Sequence, residues 1–548
     1  KCQVGVLGDV LKISRVERTE NPNYLFVYLD TKDVPAGVYE IVLRGPLKTA
    51  TVKYELKERR EGSADRESFG SQDAVYLLMP DRFANGNPDN DNVKGYLQGV
   101  DNTSLHQRQG GDIEGIIQHL DYIADLGMTA LWTTPILDDN DSLYSYHHYS
   151  TTNFYKVDPR FGTNEDFVRL VDECHRHGLK YIMDIVPNHA NPRHWWHNDL
   201  PDSSWYNQWE EFTRTNYQVA VVTDPYASKA DREQFEKGWF DTNMTDLNYN
   251  NPLLFDYVLQ SYIYWAELTG LDGFRVDTYP YNDLNMASKL MAGIRSEYPK
   301  MNLVGECWVK SFPEMAYYQT GNNNKDGFDS NLPSVMDFML KDWLEMAFVE
   351  EEAWNKGVIR FYNHFAQDFC VPNPSNIMCM LDNHDMTRFA NAVDNDVKVI
   401  KMGMAMLSTV RGYPQFYYGD EILIEGGMGA YEDARRCFPG GWAHHEVNAF
   451  DSKQRTKEQN EVYNYLRSIL QFRKTSEALC YGNMTHFLPH DGIYCFFRHT
   501  ENQTVMVVVN SNEKAKDLLL TTEHPVTEVA LSSGYPSVNL FIRSFKEI

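Results

Sequence analysis

Four short segments of this sequence end in ionisable residues and follow one another along the chain. They are Asp-Ile-Val-Pro-Asn-His at 184–189, Gly-Phe-Arg-Val-Asp at 273–277, Val-Gly-Glu at 304–306 and Asp-Asn-His-Asp at 382–385. Apolar or β-branched runs that end this way are typical of buried parallel strands, which deliver side chains to one edge of a sheet. The segments supply the carboxylates Asp277, Glu306 and Asp385. With no metal-type Cys/His cluster and no nucleophilic Ser, three carboxylates favour cleavage of a glycosidic bond.

Cleavage of an acetal needs one carboxylate to capture the oxocarbenium-like carbon and one carboxylic acid to protonate the leaving oxygen. Asp277 follows Arg275 by two residues, so both point to one side of a strand and the guanidinium can hold the carboxylate ionised. We therefore predict Asp277 as the nucleophile. Glu306 closes an apolar strand, where desolvation raises a carboxyl pKa, which predicts the general acid/base. Asp385, behind His384, is predicted to bind sugar hydroxyls and favour the charged transition state.

Each of these carboxylates taken alone could be an ordinary strand-end residue that caps the next helix. The ordered set disfavours that alternative, because the C-terminal strand ends of a (β/α)₈ barrel form its active-site face. Eight candidate strands alternate with helical patterns, at 74–79, 129–133, 181–186, 272–276, 302–306, 334–338, 377–381 and 414–418. The pattern predicts an α/β fold, a (β/α)₈ TIM barrel. Residues 190–250 are too many for a loop, and predict an inserted subdomain after the third strand.

Period-2 alternation at both ends of the chain predicts two flanking antiparallel β-domains. We assign residues 1–60 to an N-terminal β-sandwich-like domain, 61–73 to a linker, 74–470 to the catalytic barrel and 478–548 to a C-terminal β-domain. The absence of an initiator Met predicts a processed or truncated chain, in a periplasmic or otherwise exported form, with a cytoplasmic location as the alternative.

The charge of the chain restricts its partners. The 548 residues include 51 Lys and Arg against 77 Asp and Glu, a formal net charge of −26. Such a charge repels nucleic acid and anionic membranes and suits a neutral substrate. No apolar run approaches the ~18 residues of a transmembrane segment.

The four ordered motifs resemble those of the α-amylase superfamily of glycoside hydrolases. The resemblance implies a retaining mechanism on α-glucosidic bonds, with Asp277, Glu306 and Asp385 as nucleophile, acid/base and stabiliser. Further segments agree with it, at 146–149, 244–248 and 412–421, and they look most like the neopullulanase, cyclomaltodextrinase and maltogenic amylase group. We predict six substrate-binding residues: His147, Tyr149, His189, Arg275, His384 and Trp308.

The chain departs from the family pattern at two places. His148 stands where Gly is usual, and Pro280-Tyr281 stands where amylases that act on long starch often carry Lys-His. The latter pair is expected on the leaving-group side, so the sugar preference there cannot be carried over.

Residues 81–92 are dense in oxygen ligands on a Gly/Pro turn, which suits Ca²⁺ far better than a transition metal. The alternative is a plain Asx-rich turn. The segment resembles the calcium loop of the same group, and that resemblance implies the ligands Asn85, Asn87, Asn90, Asp91, Gly110 and Asp112. Asn188, which binds another calcium in many amylases, is predicted to be structural here.

The leading hypothesis is hydrolysis of α-1,4-glucosidic bonds in cyclodextrins, pullulan or maltooligosaccharides, by a covalent glucosyl-enzyme. A transglycosylase and an open-cleft α-amylase are alternatives on the same barrel, and a starch-binding protein with an inactive barrel is a remote one. The insertion carries five of the eleven Trp residues and is expected to narrow the cleft. α-Glucan oligosaccharides or polysaccharides are the expected partners, and a homodimer is possible.

Overall fold

The centre of the fold is a closed barrel of eight parallel strands. The computed structural model describes residues 3–8, 10–427, 429, 431–511, 527–529 and 539–545. The barrel strands are Val75–Leu78, Ala130–Thr133, Lys180–Ile185, Gly273–Val276, Asn302–Gly305, Ser334–Asp337, Ile377–Met380 and Tyr413–Tyr417. The last strand pairs in parallel with the first, which closes the barrel. The predicted fold class is therefore confirmed, and each candidate strand has a counterpart.

Helices follow the barrel strands and cover their outer face. The α-helices are Pro80–Phe83, Ile113–Ile117, Leu120–Leu126, Asn164–Arg176, Lys229–Lys237, Pro252–Thr269, Leu284–Glu297, Phe312–Tyr317, Phe338–Met346, Ile359–Phe365, Phe389–Ala392, Val397–Thr409, Lys457–Thr475 and Glu477–Tyr481. In the helix Asn164–Arg176, Thr163 and Asp166 form a capping box at the start, and Phe167, Leu170 and Val171 are among its buried residues. Burial of such side chains contributes about 1.5–3 kcal/mol each. None of the helices in the described part of the chain is both long and apolar enough to cross a membrane.

The barrel strands are buried on both faces because side chains fill the interior and helices cover the exterior. All four residues of Val75–Leu78 are buried, as are those of Ala130–Thr133. The segment before the first strand closes the base of the barrel, where Phe69 is 3 % exposed and packs against Tyr413. With the base closed in this way, polar side chains collect at the opposite, C-terminal end.

Antiparallel sheets flank the barrel, as predicted. The N-terminal strands are Gln3–Val6, Lys12–Arg18, Leu25–Asp30, Gly37–Arg44 and Thr49–Leu56, and the C-terminal ones are Asn483–His486, Ile493–His499, Thr504–Asn510, Thr527–Val529 and Asn539–Phe545. Two short antiparallel pairs, Leu137–Asp138 with Asn153–Val157 and His189–Ala190 with Thr245–Asp246, shape the loops above the barrel. The N-terminal domain contacts the insertion, where the Tyr24 ring stacks on Trp195 at 6.2 Å.

Candidate active site

A buried arginine organises the strand ends of the barrel. Arg275 is fully buried, and its Nη1 lies 3.0 Å from Asp184 Oδ1 and 2.6 Å from Asp277 Oδ1. Its Nη2 lies 2.8 Å from Glu306 Oε2. These carboxylates come from the third, fourth and fifth barrel strands, so one guanidinium holds three neighbouring strand ends together. Asp184 opens the first motif, but sequence reasoning gave it no role.

Glu306 has the environment expected of a carboxylic acid that keeps its proton near neutrality. It is 7 % exposed, and its Oε2 accepts a hydrogen bond of 3.0 Å from the backbone N–H of Thr278. Burial raises the pKa of Glu306 to about 7, against the opposing effect of Arg275, and Asp277 and Asp385 add to the increase. A carboxyl with this pKa is protonated in a large fraction of molecules at neutral pH, as a general acid requires.

Both oxygens of Asp277 have donors. Arg275 donates to Oδ1, and the Thr278 hydroxyl donates to Oδ2 over 3.1 Å. Burial nevertheless raises the pKa of Asp277, and it outweighs the neighbouring Arg275. The expectation that Arg275 alone keeps this carboxylate ionised is therefore incomplete, because the guanidinium charge is shared among three carboxylates. A proton on Glu306 leaves more of that charge to balance Asp277.

Asp385 is set apart by its partners and by its access to solvent. Its side chain is 29 % exposed; it forms an ion pair with Arg435 Nη2 at 2.8 Å, and its Oδ2 lies 3.2 Å from His384 Nε2. Burial acts to raise the pKa of Asp385, but His384 and Arg435 outweigh it and hold the pKa well below its usual range. Asp385 is thus ionised when Glu306 is protonated. The sequence did not predict Arg435, because it lies in a short 3-10 helix, Tyr431–Arg435, beyond the last barrel strand and outside the four motifs.

Tyr149 links two of the sequence motifs. Its hydroxyl lies 2.9 Å from Asp184 Oδ2 and 2.8 Å from His384 Nε2, and its ring stacks on His384 with centroids 5.3 Å apart. Trp132 Nε1 also donates to Asp184, over 3.0 Å. The network fixes the floor of the cleft beside Asp385.

Two of the three predicted substrate-binding histidines, His147 and His189, differ in their freedom to bind a ligand. His147 Nδ1 accepts a hydrogen bond from Tyr149 N over 3.0 Å, and burial lowers its pKa, so the neutral ring carries its proton on Nε2. His189 has protein partners at both nitrogens, Asn188 Oδ1 at 3.0 Å and Tyr149 O at 2.9 Å. Burial lowers the pKa of His189 to about 4. Its role in sugar binding stays a prediction, and in the structure it supports the Tyr149 loop.

The two departures from the family pattern have local physical explanations. His148 has φ of 61°, a left-handed conformation that glycine adopts at lowest cost, and its Nε2 lies 3.0 Å from Asp158 Oδ2. Tyr281 packs against Phe235 at 4.7 Å and Phe240 at 5.2 Å, both from the insertion. These three rings form an aromatic wall beside the turn that follows Asp277.

Trp308, two residues after Glu306, is 42 % exposed and stacks on Phe338 at 4.8 Å. An exposed indole held by a second ring can pack against the face of a sugar. The Trp residues of the insertion differ in burial: Trp196 and Trp205 are buried, whereas Trp195 and Trp209 are exposed. The buried pair stabilises the small subdomain, and the exposed pair and the half-buried Trp239 are the indoles of the insertion that could contact a sugar.

Asn188, predicted to be structural, connects three segments around the site through its side-chain amide. Its Nδ2 donates to Asp246 Oδ2 over 3.2 Å and to the Tyr281 carbonyl over 3.0 Å. The amide therefore joins the end of the third strand to the insertion and to the turn after Asp277.

The predicted calcium loop brings oxygen atoms together beside the first strand. Asn85 Oδ1 and Asn90 Oδ1 are buried and have no hydrogen-bond partner among the described residues. Asn85 Nδ2 lies 2.8 Å from Asp91 Oδ1, and a Cβ on Gly110 would stand 2.6 Å from that same oxygen. Unpartnered buried acceptors next to a carboxylate fit a hard cation.

The predicted ligand Asp112 already has backbone donors. Asp112 caps the helix Ile113–Ile117 and accepts hydrogen bonds from Gly86 N at 3.1 Å and Asn87 N at 2.8 Å. Burial raises the pKa of Asp112 to about 6 and also raises the pKa of Asp91. A bound cation would favour the ionised form of both carboxyls. Among the described residues, no group of three or more His, Cys, Asp or Glu side chains is placed to hold a metal, so this site would depend on neutral oxygens.

Comparison with protein families gives matches along most of the chain. Residues 77–437 match the alpha amylase catalytic domain, residues 1–60 the cyclomaltodextrinase N-terminal domain, and residues 484–528 the cyclo-malto-dextrinase C-terminal domain. The resemblance stated from the motifs is therefore confirmed.

Individual relatives agree with the family matches. A cyclomaltodextrinase from Thermoanaerobacter pseudethanolicus is 28% identical over 459 residues, which are 81% of this chain and 71% of the relative. Neopullulanase 2 from Thermoactinomyces vulgaris is 28% identical over 488 residues, 86% of this chain and 75% of the relative. The crystal structure of an Anoxybacillus alpha-amylase, 25% identical, superposes with a TM-score of 0.70 and covers 87% of this chain and 99% of that one.

Proposed function

This chain belongs to the alpha-amylase family, and on that premise we propose that it hydrolyses α-1,4-glucosidic bonds in short or cyclic α-glucans through a covalent glucosyl-enzyme. The observation that carries the proposal is that Asp277 and Glu306 share one guanidinium, at 2.6 and 2.8 Å. This arrangement limits their separation, and retaining enzymes hold the two carboxyls about 5–5.5 Å apart. An inverting enzyme needs a wider gap for a water molecule.

In the first step, Asp277 attacks the anomeric carbon while Glu306 protonates the leaving oxygen. The C–O bond to the leaving sugar breaks, and an ester forms between the glucosyl unit and Asp277. Arg275 and Thr278 keep the attacking carboxylate in its orientation. Asp385, held ionised beside Arg435, favours the positive charge that develops on the sugar ring.

In the second step, Glu306 acts as the base. Having lost its proton to the leaving group, it takes a proton from water, and the resulting hydroxide attacks the anomeric carbon of the ester. Asp277 leaves as a carboxylate, and Glu306 is protonated again. A pKa of about 7 suits a group that must both give and take a proton near neutrality.

The substrate class follows from the shape of the cleft and from the relatives. The aromatic wall of Phe235, Phe240 and Tyr281 stands beside the catalytic turn, and the family resemblance implies that Tyr281 is on the leaving-group side, where such a wall would favour short or cyclic substrates. The names of the relatives, cyclomaltodextrinase and neopullulanase, indicate the same kind of substrate. We therefore expect β-cyclodextrin and pullulan to be cleaved with higher kcat/KM than soluble starch.

One product analysis tests the proposal. The purified chain is incubated with β-cyclodextrin, pullulan and soluble starch, and the products are measured at low and high substrate concentration. A preference for starch would indicate an open-cleft α-amylase, longer products at high concentration a transglycosylase, and no new reducing ends an inactive barrel. A mechanism-based fluorinated glucosyl label should be found on Asp277.

We also propose that Asn85, Asn87, Asn90, Asp91, Gly110 and Asp112 hold a structural Ca²⁺. The unpartnered oxygens of Asn85 and Asn90 support this assignment. The ion would stabilise the loop after the first strand, and it takes no part in the chemical steps. Elemental analysis of the purified chain tests its presence.

The homodimer and the exported location stay predictions from the sequence. Multi-angle light scattering of the purified chain tests the first, and fractionation of cells tests the second.

A further inference from the structure

Thr278 lies between the two predicted catalytic carboxylates and contacts both of them. Its backbone N–H donates to Glu306 Oε2 over 3.0 Å, and its hydroxyl donates to Asp277 Oδ2 over 3.1 Å. It therefore reaches one group through the main chain and the other through the side chain.

The backbone of Thr278 is in a costly conformation. Its φ of 42° and ψ of 39° lie in the left-handed region, where a β-branched residue is rare. Residues held in such conformations cluster at functional sites, and they persist only where the surroundings fix them. At Thr278 an observed outlier thus coincides with two hydrogen bonds to reacting groups.

The surroundings that fix this conformation are rigid. The turn Tyr279–Tyr281 follows directly, with Tyr281 N donating to the Thr278 carbonyl over 3.0 Å. Tyr279 is fully buried, with its hydroxyl bonded to Ser330 O at 2.9 Å. Asn188 Nδ2 holds the far end of the turn at the Tyr281 carbonyl. The turn is anchored at both ends, so the position of the Thr278 N–H is set by packing.

We propose that Thr278 is a positioning residue that fixes the geometry of Asp277 relative to Glu306, and that its strained backbone is what lets one residue serve both carboxylates. The inference rests on the proposed function, since it assumes that these two groups react. Because φ is the rotation about the N–Cα bond, an extended conformation would turn the side chain and the following turn relative to the N–H, and the hydroxyl contact and the backbone contact could not both be kept.

The hydroxyl arm is tested with Thr278→Val, which keeps the β-branched shape and removes only the hydroxyl, and with Thr278→Ser, which keeps the hydroxyl. We expect Thr278→Val to lower kcat/KM on β-cyclodextrin about 10- to 100-fold, the effect of losing a hydrogen bond to a charged group. Thr278→Ser should keep most of the wild-type kcat/KM. The acidic limb of the pH profile should move to higher pH in Thr278→Val, because the ionised form of Asp277 loses a donor. The basic limb should stay, because the N–H to Glu306 is retained.

The matched control is Thr134→Val. Thr134 follows the second barrel strand, is 1 % exposed, and its hydroxyl has no hydrogen-bond partner among the described residues. Removal of the Thr134 hydroxyl should leave both limbs of the pH profile unchanged. An equal loss of activity in Thr278→Val and Thr134→Val, or a Thr278→Val profile identical to the wild type, overturns the proposed role of the hydroxyl.

The strain is tested with Thr278→Gly, which adopts a positive φ at low cost. We expect Thr278→Gly to have a higher Tm than the wild type, because the strain is relieved. Its kcat/KM should be lower than that of Thr278→Val, because a freer backbone holds the N–H to Glu306 less firmly. A Tm below that of the wild type, or activity equal to that of Thr278→Val, contradicts this part of the inference. Fluorinated-sugar labelling of the wild type keeps the two proposals apart: a label away from Asp277 refutes the proposed function, whereas a label on Asp277 with unaffected variants refutes only the role of Thr278.

Discussion

Two regions above the barrel collect oxygen atoms, and they balance negative charge in different ways. At the catalytic strand ends, Asp184, Asp277 and Glu306 share the guanidinium of Arg275. In the loop of Asn85, Asn90 and Asp91, no ion pair to an Asp91 oxygen occurs within the described residues, and two amide oxygens have no donor. The first region contains its own cation, whereas the second has the composition that an external cation would complete.

The difference shows how similar residue types serve different purposes. A fixed guanidinium orients carboxylates, but its single charge is shared by three buried ones, so the pKa of each is raised, and Glu306, with a pKa of about 7, can exchange a proton. Neutral amide oxygens cannot exchange protons in this way, and they suit a structural ion. Within the cleft, Asp385 differs from the three carboxylates around Arg275. His384 and Arg435 lie beside Asp385 and lower its pKa.

The largest expected effect is on Asp277. Replacement by Asn removes the carboxylate that would form the glucosyl ester, so kcat should fall at least about 10⁴-fold, the scale seen when a covalent nucleophile is removed. The circular dichroism spectrum and Tm should change little. Stopped assays with long incubation measure the residual rate. Retained turnover with a label on another residue would show that the nucleophile is misassigned.

Removal of the shared cation should destabilise the fold. Arg275→Met leaves three buried carboxylates without their shared cation, and breaking a buried ion pair on one side costs about 3–5 kcal/mol. The matched control is Arg467→Met, since Arg467 pairs with Asp125 at the surface, 2.7 Å away. Loss of such an exposed pair costs about 0–1 kcal/mol. Urea unfolding measures both, and equal costs would mean that Arg275 does not balance the carboxylates.

Glu306→Gln should act on substrates according to their leaving group. Loss of general acid catalysis costs about 10²–10⁴-fold for a sugar leaving group and much less for an activated aryl group. In the wild type, kcat/KM should fall as the pH rises through about 7, because Glu306 must be protonated to act as the acid. The Glu306→Gln profile should lose that basic limb. Equal losses on maltooligosaccharides and aryl glycosides would argue against Glu306 as the acid.

The sequence predicted the parts of the site that strands deliver. Asp277, Glu306 and Asp385 each follow a buried apolar run, and such runs determine where a strand ends. Arg435 could not be predicted, because it reaches Asp385 from a single short 3-10 helix that has no periodic apolar pattern. The left-handed backbone conformation of Thr278 could not be predicted either, because packing of the following turn imposes it against the preference of a β-branched residue. Local sequence thus predicts which groups reach the cleft, and tertiary contacts decide their orientation and charge.

The smallest expected effect concerns the calcium loop, and it separates stability from chemistry. Chelation should lower Tm, because it removes the free energy of unfolding that binding contributes, about 2.7 kcal/mol if free Ca²⁺ is 100 times its Kd. Turnover below that temperature should be largely kept, because none of the six proposed ligands is a catalytic carboxylate. Asn90→Ala should have a low Tm that chelator no longer changes. Asn92→Ala is the control in the same loop, since Asn92 Oδ1 only accepts a hydrogen bond from Val100 N at 3.2 Å, and it should keep the response to chelator. If the wild-type melting curve is the same with and without chelator, and no calcium is found in the purified chain, the buried acceptors of this loop are satisfied by water and the second region needs no ion.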